Sequence, residues 1–430
     1  MKGPGQLTLL DAICIGINLI IGSGIFLRPG AIAAVMGDSG FLAFAAVGVA
    51  LISVALCYAE VASMYAQNGG SYVYAREAFG PWTGFVVGWS AYVSSLLSWA
   101  AVAGGATEYL AELSPFLAQP MVKRAIASLI ILAFGFINYV GIKPAAWTTN
   151  GFTIAKLLPL LVFAIVGLSI IRLDRLSFAT SASALGAGAF KALFACQGFE
   201  NVPVPAGETK NPRRSIPLAT VSSLLFSVSL YVLIMIVATC SVGSEALARS
   251  DRPLALAAEN FLGSTGAKLI AICAAISMTG YNSGVALITP RYLSAMAADG
   301  FLPRPVSVNH PRFATPHLAI VFTTLAAMLC SLAFDYNSLV DWSIVTSGLM
   351  YLATCLAVPI LRRTRPDLPR AFRLPGGWLV PAIGTAVVVT VISQAGRTEF
   401  IYSLWTVLAG LVVAAACRSF ARGGTAGRIP

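Results

Sequence analysis

The stretch from Ile13 to Gly30 is apolar and long enough to cross a bilayer, yet it is interrupted at its middle by Gly22-Ser23-Gly24. Lipid offers no hydrogen bonds, so a spanning segment leaves backbone N–H and C=O groups unpaired only where protein, water or a ligand meets them. The sequence therefore predicts two half-helices, Leu9 to about Ile21 and Ile25 to about Met36, with free carbonyls ending the first and free amides opening the second. The first end suits a cation and the second an anion. A free amino acid carries one of each, about one backbone repeat apart, and Ile21, Gly22, Ser23, Gly24 and Ile25 are the residues expected to hold it.

The rest of the chain has the same character. Of 430 residues, 57% are hydrophobic and only 10% charged, a combination that excludes a soluble domain of this length. Twelve apolar runs of helix-spanning length recur, where a barrel would show short alternating segments. The fold class expected is an all-α polytopic membrane protein with twelve crossings. No cleavable signal is expected, because a second span follows the first directly. The eight cysteines lie in apolar runs without paired spacing, and His310 and His317 are the only histidines. Disulfides, a metal, a cofactor and cysteine or histidine catalysis are therefore unsupported.

The net charge of +11 points to the bilayer and not to nucleic acid once its distribution is considered. With the N-terminus in the cytoplasm, most Lys and Arg residues fall on the cytoplasmic side. The densest run, Arg362, Arg363, Arg365, Arg370 and Arg373, then faces anionic headgroups. A plasma (inner) membrane location with both termini cytoplasmic is expected.

After the broken first helix come helix two (about Phe41 to Tyr65), a polar inner connector (Gln67 to Pro81), and helices three (Trp82 to Leu110), four (Lys123 to Val140) and five (Ala145 to Arg172). Five is odd, so a second copy of this unit must be inserted upside down. That copy opens at Gly188 with another apolar run, broken by Gly198, Glu200, Pro203 and Pro205. It continues through helix seven (Ile216 to Val242), an outer loop (Ser244 to Leu262), and helices eight (Ala267 to Ala298), nine (Leu318 to Phe334) and ten (Leu339 to Leu361). The expected division is a cytoplasmic N-terminus (1–8), repeats at 9–172 and 187–361, two further helices within 377–418, and a disordered cytoplasmic tail (419–430).

Several short motifs occur in order: Gly22-Ser-Gly-Ile-Phe26, Cys57-Tyr-Ala-Glu60, Gly69-Gly-Ser-Tyr-Val-Tyr-Ala-Arg76, Gly198-Phe-Glu200, Lys210-Asn-Pro-Arg-Arg214 with Ile216-Pro217, and Ala298-Asp-Gly-Phe-Leu-Pro303. In these the chain resembles the amino acid/polyamine/organocation superfamily of permeases over nearly its whole length. The resemblance implies the leucine-transporter-type five-plus-five inverted repeat with helices one and six broken. It also implies secondary transport of an amino acid by alternating access, through proton symport or exchange. The spacing around Glu200 is similar to the arginine/agmatine antiporter branch, whose gating aromatic falls at Phe194. That branch's helix-three Asn falls at Trp99, its helix-eight Trp at Val285 and its helix-ten Ser at Ser343. The first two departures imply a neutral substrate over a guanidinium, with a basic amino acid or polyamine antiporter as the alternative. Lys156 resembles the helix-five lysine of proton-coupled permeases and neutral amino acid exchangers, where an ammonium occupies a vacated sodium site.

Each residue has a plainer reading as well. The small residues at 22–24 can serve helix packing alone. Glu200, a carboxyl at membrane depth, is expected to touch substrate and to carry a proton, or else to cap the unwound segment. Lys156 lies too deep to snorkel and is expected either to couple protons to transport or to form a fixed ion pair, whereas Lys191 snorkels. Glu60 and Asp11 read as gate or packing partners. Trp99, Phe194, Gln197 and Gly198 are expected to line the pocket, although aromatic residues at such positions commonly just pack. A membrane enzyme, a non-transporting amino acid sensor, a channel and a nucleotide-driven pump lack, respectively, a catalytic cluster, a signalling domain, a polar stripe and a P-loop.

Overall fold

Lipid requires every spanning segment to satisfy its own backbone, and the chain does so with helices. The computed structural model describes residues 6–111, 114–393 and 397–423, and among these the one β feature is an isolated parallel bridge between Leu7 and Thr209. The first predicted helix is two: α1 (Leu9–Ile20) and α2 (Gly24–Met36) meet with a 41° bend. A capping box starts α1, with Thr8 accepting from the Asp11 amide while the Asp11 carboxylate accepts from the Thr8 amide. Then follow α3 (Phe41–Met64), α4 (Ser71–Phe79) within the predicted connector, α5 (Pro81–Ala111), α6 (Pro120–Val140) and α7 (Ile142–Gly167). The second half comprises α8 (Ala182–Cys196), α9 (Pro212–Val242), α10 (Ser244–Arg249), α11 (Pro253–Ala298), α12 (His317–Ala333), α13 (Tyr336–Thr364), α14 (Leu379–Ile392) and α15 (Arg397–Gly423).

Several boundaries differ from the sequence-based expectation for local reasons. Helix four begins at Pro120, since proline suits the first turn, where its missing N–H costs nothing. Helix six begins at Ala182 and not at Gly188, because Ser181 caps it by accepting from the Ala184 amide at 3.1 Å. The expected outer loop holds α10 and the start of α11, which kinks at Gly263, where φ is +66°. The expected disorder beyond Ser419 meets helix as far as Gly423, and residues 1–5 and 424–430 lie outside the described residues.

Among the described residues eight helices are long and apolar enough to cross a membrane, and the bent α1–α2 pair makes a ninth. With the two shorter apolar helices, α12 and α14, these stand where the sequence leads one to expect twelve crossings. Apolar side chains such as Leu129 and Phe136 on α6 and Leu329 on α12 point outward, as a lipid-facing surface requires. Inside, α1 is enclosed by α7, α9 and α11, while α5 packs against α11 and α13.

Polar ties hold together the face that carries the N-terminal segment. Leu7 exchanges backbone hydrogen bonds with Glu208 and Lys210, both at 2.8 Å. The fully buried Arg291 of α11 grips Glu208 through Nε at 2.5 Å and Nη2 at 2.9 Å. Arg76 and Tyr72 of α4 both donate to Asp299 at the end of α11. Burial first, and then the bond to Asp299, raises the Tyr72 phenol above its usual range, so it stays a donor. Glu60 of α3 accepts from Arg362 at 2.6 and 2.8 Å and from the Leu374 amide at 2.9 Å, and Asp11 accepts from Lys143 at 3.0 Å. Both acidic residues, expected as gate or packing partners, are thus held in ion pairs.

The α3–α9 contact depends on Gly48, where an added Cβ would lie 2.3 Å from Val228 Cγ1. Gly48→Leu should destabilise the protein by about 1–3 kcal/mol, the usual cost of overpacking. Gly104→Ala, on α5 with no heavy atom within 4 Å of the new methyl, should leave thermal unfolding in detergent unchanged. Equal unfolding temperatures for wild type and Gly48→Leu would contradict this packing.

Candidate functional site

At the first break the carbonyls that α1 leaves free are met from three other helices. Lys156 Nζ, fully buried on α7, lies 3.1 Å from Asn18 O, 2.9 Å from Asn18 Oδ1, 2.6 Å from Ile21 O and 3.3 Å from Ser277 O. Ser277 Oγ of α11 donates to Ile21 O at 3.1 Å and Gly22 O at 3.0 Å. Tyr231 of α9 donates to Ile20 O at 2.9 Å. An ammonium among four neutral oxygens at the C-terminal end of a helix is where the macrodipole favours positive charge. On the other side of the break α2 begins at Gly24, and its first amides lack partners within the helix. Ser23 Oγ bonds the Tyr336 hydroxyl at 2.9 Å.

The second break follows α8. Gln197 is extended and Gly198 takes φ +128°, a conformation that favours glycine. A Cβ there would sit 2.5 Å from the Leu19 carbonyl carbon and oxygen, so the two breaks touch backbone to backbone. The chain then forms single 3-10 turns, Phe199–Asn201 and Ala206–Glu208, in place of a second α half-helix, because Pro203 and Pro205 remove amide donors. The buried Glu200 carboxylate accepts from the Gly198 amide at 2.8 Å and Tyr351 at 2.9 Å through one oxygen, and from Asn201 Nδ2 at 3.0 Å through the other.

Between the breaks lies a cavity. Gly22, Ser23, Gly24, Phe194, Gln197, Gly198 and Glu200, all candidate site residues from the sequence, line it. Ile21 and Ile25 are buried beside it in the apolar core. Trp99 and Ser343 are also buried but are not among its lining residues. The α5 face that does line it is Ser94, Ser95, Ser98 and Val102, which recur at about one turn, and Trp99 is rotated out of that stripe. On α11 the lining residue is Tyr281, one turn before Val285, with its ring 3.1 Å from where a Gly22 Cβ would be. Asn201 and Ser347 were missed as well. The serine spacing on helix three was the available signal. Among the described residues, no three His, Cys, Asp or Glu side chains converge as metal ligands would.

Two broken helices meeting at a polar cavity inside a helical membrane bundle, with a lysine in the seam, define a solute-transporting membrane protein. The chain belongs to the amino acid permease family, whose model matches residues 7–414. It is similar to the branched-chain amino acid permease BcaP of Bacillus subtilis (strain 168), 28% identical over 95% of this chain and 92% of that one. To the serine/threonine exchanger SteT of the same organism it is 29% identical over 94% of each. The b(0,+)-type amino acid transporter 1 of Mus musculus is 26% identical over 95% of this chain and 86% of its own.

Lys156→Met keeps much of the side-chain volume but strips a donor from carbonyls of Asn18, Ile21 and Ser277. Each buried acceptor left unmet costs about 1–3 kcal/mol, so unfolding in detergent should shift to clearly lower temperature. An unfolding temperature equal to wild type would show that the seam does not depend on the ammonium.

Proposed function

We propose that this permease is a sodium-independent secondary transporter of neutral amino acids, working by alternating access through proton symport or amino acid exchange. The observation that carries the proposal is the backbone contact of the two breaks, Gly198 against Leu19, beside the cavity. The substrate is assigned to the cavity between the breaks, its carboxylate to the amides at Gly22 to Gly24 and its ammonium to the second break at Gly198 to Glu200. In this reading residues 9–172 and 187–361 are the inverted repeats, the helices within 377–418 lie outside them, and both termini face the cytoplasm at the plasma membrane. The relatives named above, all transporters by name, support transport and not catalysis as the activity.

Neutral preference rests on the contents of the cavity. The one acidic side chain lining it is Glu200, and its oxygens already accept from the Gly198 amide, Tyr351 and Asn201, so a guanidinium would have to compete with these donors for the carboxylate. Sodium independence rests on Lys156. A second cation about 4 Å away would be repelled by about 4 kcal/mol at an effective dielectric near 20. Lys156 and Glu200 are the two groups through which protons can be coupled to transport.

In binding measured by thermal shift, neutral amino acids should stabilise the protein while their methyl esters and N-acetyl derivatives do not. Arginine and agmatine should compete weakly. Strong competition by arginine with none by neutral amino acids would return the chain to the basic amino acid and polyamine antiporters. In liposomes, uptake should be equal in sodium and in choline, and lost in Lys156→Ala. A sodium requirement in wild type would refute the lysine-for-sodium argument. If uptake survives in Lys156→Ala, a pH dependence kept there but abolished in Glu200→Gln would assign proton coupling to the glutamate.

A further inference from the structure

If the helix ends hold the substrate's carboxylate and ammonium, as proposed above, its side chain is left to the wall formed by α5 and α13. That wall is lined with hydroxyls: Ser94, Ser95 and Ser98 from α5 and Ser347 from α13, with Gln197 beside them. Most of their protons are already committed. Ser94 donates to Ser343 O at 2.9 Å, Ser95 to Asn201 Oδ1 at 3.5 Å, and Ser347 to Ile344 O at 2.7 Å while accepting from Gln197 Nε2 at 2.9 Å. A serine hydroxyl has one proton and two lone pairs. With three of the four serine protons spoken for, the wall offers chiefly acceptors, and an acceptor wall suits a ligand that brings its own O–H donor.

Bulk is limited from two sides. The Tyr281 ring stands over Gly22, and Phe194, whose ring lies against the Arg28 guanidinium, lines another side of the cavity. Its apolar lining on this wall is confined to Val102 and Met350.

We propose that the cavity selects small amino acids whose side chain carries a hydroxyl, serine and threonine, over aliphatic ones of equal or larger size. An aliphatic side chain would cover the lone pairs without meeting them, and a site built to bond a hydroxyl rejects analogues that lack it.

Threonine and valine are nearly isosteric, so their comparison separates the hydroxyl from size. The experiment titrates the full-length protein in detergent with L-threonine, L-valine, L-leucine and L-arginine, reading apparent affinity from the shift in thermal unfolding. Threonine should bind at least about ten-fold more tightly than valine. In Ser98→Ala and Ser347→Ala that ratio should fall towards one. Valine or leucine binding as tightly as threonine would overturn the selectivity and leave amino acid transport standing. Binding of arginine alone would overturn the selectivity together with the neutral preference proposed above, and binding of none of the four would overturn the selectivity together with the assignment of this cavity as the substrate site. If a serine variant does not fold, the wild-type threonine-to-valine ratio decides by itself.

Discussion

The position of the Lys156 ammonium, among oxygens of Asn18, Ile21 and Ser277, is the interaction on which the centre of this protein depends. A helix that stops at the membrane midplane leaves carbonyls that lipid cannot satisfy. Here they are met by an ammonium from α7, a hydroxyl from α11 and a phenol from α9. The helix end gains a positive charge at its negative pole, and the lysine is spared a buried carboxylate partner. The break can stay open towards the cavity because its far side is closed by these three helices.

This arrangement divides the polar groups into two sets. One set binds the bundle together: Lys156, Tyr231 and Ser277 around α1, and Tyr351 and Asn201 around Glu200. The other faces the cavity and keeps spare hydrogen-bonding capacity, as at Ser23 and the α5 serines. The ties on the face of the N-terminal segment belong to the first set. Arg291 is fully buried where it pairs with Glu208, and removing Glu208 would leave its charge without compensation. Opening that face requires these contacts to separate together, since Glu208 also accepts from Asn68 and, through its backbone, from Leu7.

Much of this was legible in the sequence because membrane depth makes certain residues conspicuous. Glycines in an apolar run, a glutamate at Glu200 and a lysine at Lys156 each carry a local cost that marks them, and the structure places a break or a buried polar network at each. Helix rotation was not legible. Trp99 and Ser98 are neighbours in sequence but about 100° apart around a helix, and which of them meets the cavity is decided by how α5 packs on α11 and α13. The same is true of Tyr281 and Val285, one turn apart on α11. The partners of Glu200 were hidden for another reason, since Tyr351 lies 151 residues downstream and nothing local to Gly198 announces it.

The long sequence separations around α1 also bear on how the protein is made. Asn18 and Lys156 are 138 residues apart, Ile20 and Tyr231 are 211, and Ile21 and Ser277 are 256. During synthesis, α1 emerges long before any of these donors exists, with carbonyls that bare lipid cannot accept. Its C-terminal end must be kept wet or sheltered by the insertion machinery until α7, α9 and α11 have followed in turn. A helix that precedes all three of its partners in the chain is thus finished only after them, and the integrity of its unwound turn reports on whether these helices have assembled around it.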